Sequence, residues 1–136
     1  MKAVLMRVQR ASVTIDERET RSIGRGFLIL LAVTHDDTEA QAVKLADKLC
    51  SLRLFEDADG KINLTLDEVG GEIMIVSQFT LYGNCRKGRR PEFLNAARPE
   101  TAIPLYEKFV SLVRAKGYHV ETGEFGAYMA VDSVND

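Results

Sequence analysis

The chain has 136 residues, 46% hydrophobic and 28% charged, with a net charge of −2. That is enough for one domain with a real core, too apolar for a disordered chain, and too acidic for a protein coated in positive charge, though a local basic patch remains open. Cys50 and Cys85 are too few for a disulfide framework and fit a reduced, cytoplasmic setting. The longest apolar run, Phe27 to Val33, is seven residues and cannot span a bilayer.

In chain order, Val4-Leu5-Met6 is an apolar piece, with Arg7 and Arg10 interrupting any signal-length stretch. Val8, Ala11, Val13 and Ile15 then mark a strand that ends at the polar turn Asp16 to Glu19. Gly24-Arg25-Gly26 breaks the chain before Phe27 to Val33, whose branched residues and flanking breakers predict a central strand buried on both faces. Thr38 and Gln41 form a capping box, with Asp36 and Asp37 near the positive end of the helix that follows. Ala42, Val43, Leu45, Ala46, Leu49 and Leu52 keep helical spacing. Asp57 to Gly60 reads as a turn, and Gly70-Gly71 opens a strand over Glu72 to Leu81. Pro99 suits the first turn of a second helix, with Ala102, Leu105, Tyr106, Phe109, Leu112 and Val113 as its buried stripe and Lys116-Gly117 as its end. Two short strands follow, His119 to Thr122 and Tyr128 to Val134. The order predicts a single α+β domain, with a largely antiparallel, barrel-like sheet core and two main helices.

The chemistry-bearing feature is Ser77-Gln78-Phe79-Thr80, delivered by the apolar run Ile73 to Val76. It offers hydroxyls, an amide and an aromatic face, but no carboxylate, imidazole or metal ligand. Such a set suits gripping and orienting a substrate; the plainer alternative is a strand end satisfying its own polar groups. Thr80 is the obvious nucleophile, yet an alcohol needs a nearby base at neutral pH and the motif supplies none. His35 and His119 are the only histidines, neither at ligand spacing from the cysteines, so no metal site is expected. No Walker loop, Rossmann fingerprint or Gly-x-Ser-x-Gly elbow is present. Arg86-Lys87-Gly88-Arg89-Arg90 puts four cations in five residues. Arg86, Lys87, Arg89 and Arg90 are therefore a candidate phosphate clamp, with Gly88 allowing close backbone approach; a solvated loop is the alternative.

These residues resemble the D-aminoacyl-tRNA deacylase family along the whole chain, Met1 to Asp136. The matching blocks are Arg7-Val8 with Ala11 to Thr14, Leu54 to Asp57 with Gly60-Lys61 and Asn63, Val69 to Glu72, and Ser77 to Leu81. They continue with Arg86 to Gly88, Arg90-Pro91, Phe93, Leu105 to Glu107, Phe109, Val120 to Gly123, Phe125 to Ala127 and Met129. The resemblance implies hydrolysis of the ester of D-aminoacyl-tRNA, without cofactor or metal, by a homodimer with its sites at or near the subunit interface. Ser77, Gln78, Phe79 and Thr80 would line the pocket for the 3′-terminal adenosine and its amino acid, mainly positioning it while the vicinal ribose hydroxyl assists. Ala102 matches a small pocket residue, Phe125 and Met129 fall among the substrate-binding positions, and Arg7 matches a residue that holds the selectivity element. Plain helix packing and a surface ion pair are the simpler roles for Ala102 and Arg7.

The family's Gly-cis-Pro motif, which excludes L-amino acids, follows the segment that here reads Ser133 to Asp136, where this sequence stops. Either the sequence is shortened or the member lacks that filter. Hydrolysis of glycyl-tRNA, such as glycine mischarged on tRNA(Ala), is left open. Two other readings compete: a non-catalytic tRNA- or nucleic-acid-binding module, and a structural protein whose tetrad merely caps a strand.

Overall fold

One fourteen-residue strand, β1 (Lys2–Ile15), organises the sheet of the computed structural model, which describes residues 1–136. The apolar piece Val4 to Met6 and the strand read from Val8 to Ile15 are one element, and the gap from Val8 to Ala11 breaks its period of two. The structure resolves that gap as a bulge between Val8 and Arg10 on the edge facing β8 (Met129–Asn135). A bulge shifts side-chain parity by one. Met6 and Val8 before it, and Ala11, Val13 and Ile15 after it, consequently all pack into one core.

The remaining elements are β2 (Glu19–Ile23), β3 (Gly26–Ala32), α1 (Glu39–Cys50), β4 (Arg53–Glu56), β5 (Ile62–Thr65), β6 (Glu72–Ser77), a 3-10 turn (Phe79–Tyr82), α2 (Pro99–Ala115) and β7 (Val120–Thr122). The main sheet runs β2-β1-β3-β6-β7, with β8 on the other edge of β1. β1 pairs antiparallel with β2, β3 and β8, and β4 with β5; β3–β6 and β6–β7 are parallel. Parallel neighbours need long crossovers, and the segments carrying α1 and α2 supply them. The sheet curls until its ends nearly meet: Arg21 on β2 donates to the Thr122 carbonyl on β7 at 2.8 Å.

β3 is buried on both faces, as its composition predicts. Phe27, Ile29 and Leu31 point into the helix-side core, and Leu28 into the core within the curl. Phe27 stacks on Phe55 of β4 with centroids 5.4 Å apart, and both rings are fully buried. Each such ring contributes about 1.5–3 kcal/mol by leaving water. At the start of β3 only glycine fits, because a Cβ on Gly26 would overlap the Glu72 carbonyl of the adjoining strand.

The capping box is present: Thr38 accepts from the Ala40 N–H, and its own N–H donates to Gln41 Oε1 at 2.7 Å. Val43, expected inside, is 40% exposed, and Cys50 is buried in its stead. The strand expected over Glu72 to Leu81 stops at Ser77. Gln78 N–H still donates to Leu31 O, after which Leu81 N–H turns back to Gln78 O and Gly83 N–H to Thr80 O. No neighbouring strand extends that far, so the chain closes into a 3-10 turn. The turn at Asp57 to Gly60 joins a hairpin, β4–β5, that forms a separate two-stranded sheet. No helix is long and apolar enough to cross a membrane.

Candidate active site

Parallel pairing sets Leu31 of β3 opposite Ser77 of β6, so both strands end at the same rim. That rim borders a cavity of about 430 Å³. Its far wall is the start of α2, which the loop before it fastens to the end of β3. Ala97 N–H donates to Val33 O at 2.9 Å, and Thr34 Oγ1 donates to Asn95 O at 2.6 Å. The segment Phe125 to Val131 closes the third side.

Of the tetrad, Ser77, Gln78 and Phe79 line the cavity, and Ala102, Phe125 and Met129 line it as well. Thr80 is not part of the lining. It sits exposed on the 3-10 turn, where its Oγ1 takes a hydrogen bond from the Gln78 side-chain amide. No carboxylate, imidazole, amine or guanidinium lines the cavity. Its polar side chains are Ser77, Gln78 and two tyrosines, Tyr106 and Tyr128. Tyr106 donates to Ile75 O at 2.9 Å, and burial pushes its phenol up to about 12, so it stays protonated and acts as wall. Ala102 lies one turn before Tyr106 on the same face of α2, and its small side chain leaves the wall recessed. Phe79 is 55% exposed and braced edge-on by Phe93 at 5.3 Å, which gives a ligand a fixed aromatic face. The backbone N–H groups of Phe79 and Thr80 open the 3-10 turn and have no acceptor within it.

Arg7 is not brought to this cavity. Its Nη1 donates to Leu54 O at 2.7 Å and its Nε pairs with Asp136 at 3.3 Å, tying β1 to β4 and to Asp136. The basic loop also stays outside. Asn84 and Glu92 close it through paired backbone bonds of 2.8 and 3.1 Å, and Arg86, Lys87, Arg89 and Arg90 are exposed without an ion pair. Gly88 has φ +70°, open on all sides. Of the four cations, Arg86 lines a shallow polar depression next to the cavity, shared with Lys2, Tyr82 and Asn95. His35 bonds Leu94 O at 2.6 Å, and His119 lies 3.3 Å from Glu121, both away from the site. Val33, Ala97 and Tyr128 also line the cavity: Val33 and Ala97 come with the end of β3, and Tyr128 with the pairing of β8 on β1.

Fold and site define a small α+β domain with an apolar slot and a polar lip. The family described as D-Tyr-tRNA(Tyr) deacylase matches residues 4–136. Relatives named D-aminoacyl-tRNA deacylase from Thermus aquaticus and Clostridioides difficile (strain 630) are 54% and 53% identical over 136 residues, covering 100% of this chain and 90% and 91% of theirs. A solved structure described as c-Myc DNA Unwinding Element Binding Protein superposes with TM-score 0.91 at 40% identity, covering 100% of this chain and 93% of that one. Another, described as a probable eukaryotic D-amino acid tRNA deacylase, shares the fold with TM-score 0.83 at 20% identity, covering 96% and 91%. The chain belongs to the D-aminoacyl-tRNA deacylase family, hydrolases of the ester that joins a D-amino acid to tRNA.

Proposed function

We propose that the cavity between Phe79 and Ala102 seats the 3′-terminal adenosine and esterified amino acid of a D-aminoacyl-tRNA, and that hydrolysis proceeds by positioning. The observation that carries this reading is the lining itself: an apolar slot with Ser77, Gln78 and two tyrosines, and no titrating base. Phe79 offers a stacking face, and the free N–H groups at the start of the 3-10 turn are donors for the oxyanion that forms as water adds to the ester carbonyl. The vicinal ribose hydroxyl assists that attack. The bond from the carbonyl carbon to the ribose oxygen then breaks, the ribose oxygen takes up a proton, and free D-amino acid leaves. Thr80 orients the lip through Gln78. Orientation of this kind is worth about 7–11 kcal/mol of barrier in well-aligned systems. A glycyl ester fits the same slot, having no side chain to sort.

Arg86, Lys87, Arg89 and Arg90, unpaired within the chain, contact tRNA phosphates; replacing Arg86 and Lys87 by Ala lowers affinity across tRNA species. A second copy packs on β8, supported by its unpaired outer edge and by Tyr128 and Val131, 71% and 41% exposed beside the cavity. The two free thiols suit a cytoplasmic enzyme.

A second reading, nucleic-acid binding without turnover, is favoured by the unpaired cations and by the solved structure described as a DNA unwinding element binding protein. Turnover of matched D- and L-aminoacyl-tRNAs decides between them. Multiple turnovers on the D-ester support the hydrolase; stoichiometric, salt-sensitive binding with no release of amino acid supports the binder.

A further inference from the structure

The polar depression beside the cavity has its own composition. Lys2, Tyr82, Asn84, Arg86 and Asn95 line it over about 470 Å³, with two cations and no carboxylate. The nearest acid on the loop, Glu92, is already committed: Oε1 accepts from the Asn84 amide at 2.7 Å and Oε2 from Leu94 N–H at 3.0 Å. Asp37, which faces Tyr82, is taken by the Met1 ammonium at 2.6 Å and by Thr34 N–H at 2.8 Å. Lys2 stands 4.5 Å above the Tyr82 ring and reaches Leu81 O at 3.3 Å, which fixes its ammonium over the depression with N–H groups to spare.

The position matters as much as the charge. Lys2 is the cross-strand partner of Ala32, and Ala32 lines the cavity. The 3-10 turn has one end, Phe79, in the cavity and the other, Tyr82, in the depression. At about 2 Å rise per residue the two ends are about 6 Å apart, comparable to one nucleotide step along a single strand.

We propose that this depression is a subsite for the sugar–phosphate of the nucleotide preceding the terminal adenosine, with Lys2 and Arg86 on the phosphate and Tyr82 shaping the floor. The proposal rests on the cavity seating that adenosine. It assigns Lys2, remote in sequence from the basic loop, to the same RNA strand.

Two non-hydrolysable probes test it: a D-alanyl amide on the 3′ carbon of adenosine, and the same amide on the trinucleotide CpCpA. The trinucleotide should bind about tenfold tighter at low salt. Lys2→Gln and, separately, Arg86→Gln should erase most of that gain and leave the adenosine probe unchanged. Each lost phosphate contact should lower the log–log salt slope of trinucleotide binding by about 0.7. Lys2→Arg should restore both affinity and slope. Equal affinity for the two probes, or variants that weaken both probes alike, overturns the subsite while leaving the cavity assignment standing. Competition by free CpC as strong as by the linked trinucleotide also overturns it, by showing a free anion site. Failure of the adenosine probe itself to bind overturns the cavity assignment, and the subsite with it.

Discussion

Ala102→Leu is the perturbation the site defines best. Ala102 is 6% exposed and forms part of the recessed wall of a cavity of about 430 Å³. Leucine adds three carbons that point into space the ligand needs. The folded chain tolerates them, because they enter the cavity and not a filled core; the stability cost should stay below the 1 kcal/mol or so at which overpacking becomes evident. For a chain of this size that is a shift in Tm of no more than about 4 °C. The ligand has no such latitude. Even one unaccommodated methylene costs about 1–3 kcal/mol, so kcat/KM for D-aminoacyl-tRNA should fall by at least about 10- to 200-fold, mostly through KM. Steady-state deacylation and a thermal melt on the same preparation give both numbers. A folded Ala102→Leu protein with kcat/KM within twofold of the parent would place the substrate elsewhere.

Thr80→Ala should keep deacylation within a few tens-fold of the parent, on the low side of what removal of a covalent nucleophile costs; a trapped aminoacyl-Thr80 ester contradicts this. Gly26→Ala should destabilise by about 3 kcal/mol or more, read as a lower urea midpoint, because the new Cβ meets backbone that cannot yield. The Asp57 carboxylate accepts from the N–H groups of Lys61 and Asp59 and from Asn63, which holds its pKa below the usual carboxylate value. Its contribution is therefore fully present above the ordinary Asp pKa of about 4 and is lost as pH falls through the lower folded value. Asp57→Asn should flatten the acid limb of stability against pH in that window, and an unchanged limb refutes the assignment.

Local signals were legible where one segment carries its own instructions. Thr38 and Gln41 mark the start of α1, Pro99 that of α2, and the run Phe27 to Val33 reads as doubly buried because it is. What the sequence hides is pairing. β6 ends at Ser77 because its pairing with β3 stops at Leu31 and with β7 at Thr122, a limit invisible in residues 72–81 themselves. The Val8/Arg10 bulge shifts the alternation of β1, which runs on from Met6 through Val8 as one strand. The tetrad was identifiable by composition, yet the cavity it borders needs β3 and β6 side by side to gather Val33, Ala97 and Ala102. That Arg7 lies apart from the cavity, its guanidinium engaged with Leu54 and Asp136, also depends on pairing across the fold. Lys2 gave no sign at all, being one lysine in a terminal strand until the fold sets it above Tyr82.

The central claim is that this chain positions its substrate and lets the ribose hydroxyl assist. Single-turnover hydrolysis of a D-aminoacyl-tRNA with a normal terminal adenosine, against the same ester on a 2′-deoxyadenosine end, tests it directly. Equal binding with a rate at least about 100-fold lower for the deoxy substrate, the scale of a lost proton-transfer partner, is the result expected. A deoxy substrate hydrolysed as fast as the ribo form would contradict it and require a base within the protein.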